Sequence, residues 1–345
     1  MTTRQRGVAA PAPGLELVAP RTLVLGTPVA WLALTPGDRP LVAAGESVLA
    51  GAPLAERVRR GRVAAVPAGA VGPSATPGDW WLDGGRRRGV RRSRSAVDEG
   101  ELLFRATDTW QVVGGERDGL LEAPAAGIVR AVRPGSGISL ATAAAALIGT
   151  IVTGGPARGR LEVLADAEGE LSRGALDVGL AGAIVVAGSR VDAETLTRAR
   201  AMGIRGVVVA AVSSRDLREF AASEARQRAS FHPPAPFAVL VLEGHLRQPI
   251  ASPAIALLLA LAGREVAIIG DPPALLFDPP AVPPPPPPID LVRVRYGPAA
   301  GREGRWLGLA GRRRFAAGVH LEAGLVEAGE ARPLVVPLAD LERFA

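Results

Sequence analysis

Between Leu161 and Gly270, fully apolar runs alternate with amphipathic segments. Residues 183–187, 206–212 and 237–242 are apolar throughout and bounded by Gly or turn residues, and 265–269 is a further short apolar run. These predict strands. The segments between them predict helices. One spans 193–202, opened by Asp192 and closed by Gly203. A second is capped by Ser213 or Ser214 and runs to about 229. A third starts at Ser252 and Pro253 and stops at Gly263. Ser or Asp before a helix and Gly after it satisfy its unpaired backbone groups. Strands without a polar face want cover on both sides, which predicts a mostly parallel sheet with helices on each face, a doubly wound, Rossmann-like α/β domain.

The flanks read differently. Short β-type runs at 15–18, 22–25 and 29–34 are separated by Pro and Gly, and β-like patterning returns at 97–104, 110–113 and from 120 onward. Residues 141–152 are too uniformly apolar for periodicity to separate strand from helix. Residues 278–288 contain eight prolines and predict a polyproline II spacer. Beyond it, 291–294, 317–321, 324–326 and 334–337 form short β runs. This patterning predicts a multidomain α+β organisation: a mobile tail at 1–14; a β-rich domain at 15–155 with an Arg-rich insertion at 84–98; an α/β domain at 156–277; a linker at 278–289; and a small β-barrel at 290–345.

Composition narrows the chemistry. The chain has no Cys, no Lys and no Asn, so all 40 of its basic residues are Arg, against 34 Asp and Glu. Without Cys there are no disulfides, thiolate nucleophiles or Cys-held zinc and iron–sulfur centres. Without Lys there is no Walker A lysine, Schiff base, or lipoyl or biotinyl attachment. No cofactor is expected. Arg-for-Lys usage fits a GC-rich bacterial genome. The net charge of +6 permits an anionic partner without demanding one. No signal peptide or membrane span is read, so the expectation is a cytoplasmic protein.

Two stretches in the β-rich region, Gly45, Glu46, Val48, Gly51 and Leu54, then Pro124, Gly127 and Val129, resemble the two halves of a barrel-sandwich hybrid, the fold of lipoyl and biotinyl carriers. Their order, with an insertion between, is similar to the N-terminal part of an iron–sulfur subunit of electron-transport complexes. The resemblance implies a fold and no cofactor, because the carrier lysine and the cluster cysteines are missing. In the tail, Val292, Val294, Gly297, Pro298, Gly301 and Gly304 resemble the KOW motif of ribosomal proteins and transcription elongation factors, with Trp306 where a small β-branched residue is usual. That resemblance implies an SH3-like barrel and an interaction module for RNA, DNA or a protein complex. Arg293, Arg295, Tyr296, Arg302, Arg305 and Trp306, with Arg312–Arg314, are its candidate contacts. Arg86, Arg87, Arg88, Arg91 and Arg92, behind Trp80 and Trp81, form a second candidate surface for phosphates, or a solvated loop.

In the α/β domain, strand ends are where open parallel sheets bind ligands. Ser189, Arg190, Ser213, Ser214 and Arg215 there form a candidate anion pocket, although helix capping explains the serines adequately and is the favoured reading. Of the three histidines, His232, His245 and His320, His245 alone falls at a strand end, near Glu243. No Gly-x-Gly-x-x-Gly, Gly-x-Ser-x-Gly or His-Glu-x-x-His motif is present. The leading expectation is a non-enzymatic binding or scaffolding protein acting through its tail. The alternative is an enzyme or small-molecule sensor using the strand-end loops.

Overall fold

A computed structural model describes residues 12–58, 61–82, 97–228 and 236–344. The fold is mostly β and is built of several sheets. The largest has nine strands. In spatial order they are Ile151–Gly154, Ala238–Gly244, Gly206–Ala211, Ile184–Val186, Ala157–Val163, Glu265–Gly270, Pro273–Phe277, Ala145–Ile148 and Val24–Leu25. Neighbours from Ala157–Val163 through Ala238–Gly244 pair in parallel.

The apolar runs in this parallel part are buried on both faces, as their uniform hydrophobicity predicts. Val185, Val207, Val209, Val239 and Val241 meet Leu196 of helix α1 (Ala193–Ala201) and Phe220 of helix α2 (Ser214–Arg228). Ile184, Val186, Val208 and Leu240 point the other way, onto Leu257 and Leu258 of helix α3 (Ser252–Ala260).

Beyond Ala157–Val163 the sheet changes character. Glu265–Gly270 pairs antiparallel with Ala157–Val163 and with Pro273–Phe277, so it does not extend the parallel set. Residues 141–152 resolve into strands and turns, two of whose strands, Ala145–Ile148 and Ile151–Gly154, join this sheet on opposite sides. The sheet therefore recruits strands from both sides of residues 154–159. Its antiparallel half is covered on one face by β structure instead of a helix: Ala267, Ile269, Ala274 and Leu276 pack with Leu32, Leu54, Val129, Ile138 and Leu140 in one core.

That N-terminal β unit pairs Val29–Ala33, Gly137–Thr142, Gly127–Arg133 and Ser47–Val48 in one sheet, and Arg117–Glu122, Pro53–Val58 and Arg39–Pro40 in another. The two glycine-bearing stretches lie side by side. Gly127 is the register partner of Val48. Gly45 N–H donates to Val129 O and Gly51 N–H to Ala123 O, both at 2.8 Å. A Cβ on Gly127 would sit 2.3 Å from Ala141 O, so only glycine lets the strands approach this closely. Between the stretches, Arg62–Pro67, Thr109–Gly114, Glu99–Ala106 and Trp80–Leu82 make a separate sheet with its own core of Val66, Trp81, Leu102, Trp110 and Val112.

The C-terminal sheet runs Ala19–Arg21, Leu341–Phe344, Leu291–Val294, Glu303–Arg314, His320–Glu327, Leu334–Pro337. Its first strand comes from the other end of the chain and pairs in parallel, Ala19 with Glu342 and Arg21 with Phe344. Residues 15–17 are a 3-10 turn and not the expected strand. Residues 278–289 hold no regular element and are mostly exposed.

Candidate functional site

Strand Leu291–Val294 has apolar and basic residues in alternation, which by itself places its arginines in solvent. In the fold Val292, Arg293 and Val294 are all buried. Val292 and Val294 face the C-terminal core with Trp306, Val326 and Leu341. Arg293 faces the other way, toward Pro249 and Glu243, and is 1% exposed. Its Nη1 donates to Glu303 Oε1 at 2.8 Å and its Nη2 to Pro249 O at 2.6 Å. Glu243 Oε2 and Glu342 Oε1 lie 3.7 and 3.8 Å from its nitrogens.

Arg21 completes the cluster. Its Nη1 donates to Glu243 Oε2 at 2.6 Å and to Glu342 Oε1 at 2.8 Å. Burial lowers the Arg21 pKa, but the two carboxylates more than offset this, and it lies above the ordinary arginine value. Arg295 Nε sits 3.4 Å from Glu342 Oε2. Three guanidinium groups and three carboxylates thus join strand Ala19–Arg21, the nine-stranded sheet and the C-terminal sheet. The head of α3 is tied in as well. No side chain of its own caps it. Glu303 accepts the Ser252 amide at 2.9 Å and Glu243 accepts the Ala251 amide at 3.2 Å, placing negative charge where the helix dipole favours it.

A cleft of about 290 Å³ opens beside this network, lined by Arg21, Glu243, Arg295, Tyr296 and Glu342 among others. It lies at the carboxyl end of Ala238–Gly244, where a ligand site is expected in a parallel sheet.

The sequence-predicted tail residues divide. Arg293 and Trp306 are interior. Trp306 is 2% exposed. Its Nε1–H faces the carbonyls of Ala12 and Pro13 at 3.2 and 3.3 Å, so residues 12–13 cover it. A Cβ on Gly324 would fall 2.1 Å from its ring, leaving room for glycine alone. Arg295 donates to the Tyr296 hydroxyl at 3.1 Å. Arg302 pairs with Glu330, and Arg305 Nη2 with Glu327 at 3.0 Å. Arg312, Arg313 and Arg314 are exposed and make no ion pair among the described residues. Arg86, Arg87, Arg88, Arg91, Arg92 and His232 lie outside the described residues.

The residues of the candidate anion pocket contact other groups of the chain. Ser213 caps α2: its Oγ accepts the Asp216 amide at 3.1 Å and donates to Asp216 Oδ2 at 2.5 Å. Arg190 lies 3.5 Å from the same carboxylate, and the Ala193 amide at the head of α1 is 3.4 Å from Asp216 Oδ1. Ser189 is 2% exposed, with its hydroxyl 2.9 Å from the carbonyls of Glu168 and Gly169. Ser214 is exposed, and Arg215 pairs with Glu219 along the surface of α2. His245 directs Nδ1 at Val212 O, 3.0 Å away, while Glu243 turns inward to Arg21. The fold therefore gathers Arg190 and Ser213 around Asp216, while the Ser189 hydroxyl is turned to the carbonyls of Glu168 and Gly169 and His245 to that of Val212.

Sequence reasoning passed over Arg21, Glu303 and Glu342. Among the described residues no helix is long and apolar enough to cross a membrane. No protein-family model matches the chain, and no curated protein matches it in sequence.

Proposed function

We propose that this is a non-enzymatic binding or scaffolding protein of the cytoplasm that engages nucleic acid through its C-terminal sheet. The layout supporting this is a barrel-sandwich-like N-terminal unit, a doubly wound α/β centre and a KOW-type, SH3-like C-terminal barrel. The observation that carries it is the contrast among the tail arginines. Arg293, Arg295, Arg302 and Arg305 are engaged by carboxylates of the chain. Arg312–Arg314 stand exposed without one. Arg forks match phosphate geometry, and three consecutive exposed arginines, opposed across the strand pair by the single carboxylate of Glu322, make a local positive field on a chain of only modest net charge. The test is fluorescence anisotropy of the full chain with labelled DNA and RNA over a salt series. Binding that weakens steadily with salt is expected. No binding to any of them at about 50 mM salt, where phosphate contacts are strong, would sink the reading, and capture of a protein complex instead would move the partner to that class.

The cleft at the carboxyl end of Ala238–Gly244 favours a second reading, a small-molecule sensor. A metabolite library that raises the thermal midpoint, with the rise lost in Tyr296→Ala, supports it.

A further inference from the structure

Strands Glu303–Arg314 and His320–Glu327 outrun their neighbours. Leu291–Val294 reaches only as far as Arg305, and Leu334–Pro337 pairs only with residues 323–326. Residues 311–314 and 320–323 therefore pair with each other over most of their length. They form a two-stranded ribbon closed by Phe315–Val319, with Phe315 N–H donating to Val319 O at 2.8 Å. Register shifts at Trp306/Gly308 and Leu309/Gly311 precede it. Such bulges bend a strand and redirect the residues beyond them. Arg312, Arg313, Arg314, His320, Leu321 and Glu322 are all exposed. By register, Arg312 faces Glu322 and Arg314 faces His320 on one side, while Arg313 shares the other side with Leu321.

We infer that this ribbon enters the major groove of double-stranded DNA and grips its phosphates with Arg312, Arg313 and Arg314. The inference rests on the proposed nucleic-acid function and names the form of nucleic acid. A two-stranded ribbon fits the B-form major groove, roughly 12 Å wide. The deep, narrow major groove of an RNA duplex excludes it. Single strands are held by aromatic stacking platforms, and the ribbon offers none: Phe315 is half-buried at its turn, and no Trp or Tyr lies between 311 and 323. That stretch also lacks Asn and Gln, the amides that read adenine, so its polar reach is to phosphates and, through Arg, to guanine edges.

The experiment titrates the full chain into a labelled mixed-sequence duplex of about 20 base pairs of DNA, its single strand and the matching RNA duplex. Salt runs from about 50 to 200 mM, the range over which phosphate contacts declare themselves. Duplex DNA should bind tightest. Three phosphate contacts predict a log–log salt slope of about −2.7, or roughly sixfold weaker binding per doubling of salt. The R312A/R313A/R314A chain should lose about that much slope, and R312K/R313K/R314K should keep it at lower affinity. Circular dichroism checks that each variant stays folded. If the wild type binds DNA but the alanine variant matches it in affinity and slope, the ribbon is not the contact, while the proposed function stands. Tighter binding of the single strand or of duplex RNA overturns the inference in the same way. If the wild type binds none of the three, the proposed function falls and the inference with it.

Discussion

Arg293 and Glu303 are register partners on adjacent strands, and the oxygen of Glu303 that receives Arg293 also receives the amide of Ser252 at the start of α3. One carboxylate therefore holds a strand of the C-terminal sheet against helix α3, which packs on the nine-stranded sheet. Removing the cation, Arg293→Ala, leaves Glu303 and the buried Glu243 and Glu342 short of positive charge. An uncompensated buried pair typically costs about 3–5 kcal/mol. The expected outcome is a large fall in the thermal midpoint, with the C-terminal sheet becoming sensitive to protease first. A fall no larger than an exposed substitution gives would show that the network does not hold the tail.

Trp306 and Ala12 make the second contact between distant parts of the chain. Trp306→Phe keeps most of the apolar surface but loses the indole N–H that faces the carbonyls of Ala12 and Pro13. A lost hydrogen bond with its acceptors left in place costs about 1 kcal/mol. The loss should appear locally, as faster amide exchange at Val18 and neighbouring residues. Unchanged exchange there would mean that Trp306 is held by packing alone.

The parallel strands and their helices were legible because a strand buried on both faces must be apolar throughout, as Gly206–Ala211 is. The antiparallel half was not. Val266 and Ile268 face one core while Ala267 and Ile269 face another, so this strand has the same apolar texture whatever its direction. The tail misled for a related reason. Alternation in Val292, Arg293 and Val294 signals a one-sided strand, and nothing local records that the polar side is buried by charges arriving from Arg21 and Glu243. The pairings that Arg21 brings lie hundreds of residues apart, 222 to Glu243 and 321 to Glu342. The strand-end serines were legible only as alternatives, because a cap and an anion cradle use the same side chains; in the fold Ser213 accepts the Asp216 amide, as a cap does.

That assignment has its own consequence. Ser213→Ala removes the α2 cap and should cost about 1 kcal/mol, read by chemical denaturation. Because Asp216 already occupies the cradle, phosphate or sulfate should not protect the wild type more than the variant. Specific protection of the wild type by millimolar phosphate would restore Ser213 to a ligand site.

Glu101 carries the pH prediction. It is 4% exposed and accepts the Gly37 amide at 2.9 Å, while the neighbouring Asp38, 1% exposed, is held by Arg57 at 3.0 Å. Burial pushes the Glu101 pKa up, the Gly37 hydrogen bond offsets part of this, and the Asp38 charge adds to the rise. The folded pKa thus lies above the unfolded one. Below the unfolded value both states are protonated and Glu101 has no penalty. As pH rises through the folded value, the folded state must ionise a buried carboxyl beside another, and stability is lost. Glu101→Gln keeps an acceptor for Gly37 and never ionises. It should therefore be more stable than the wild type at neutral pH, by about 1 kcal/mol, the low end of the cost of a poorly compensated buried polar group. The gap should close as the pH falls toward the ordinary carboxylate range. Thermal midpoints of both chains across that range check the sign. A gap that widens on acidification would mean that the ionised carboxylate stabilises the junction between Gly37 and the strand Glu99–Ala106.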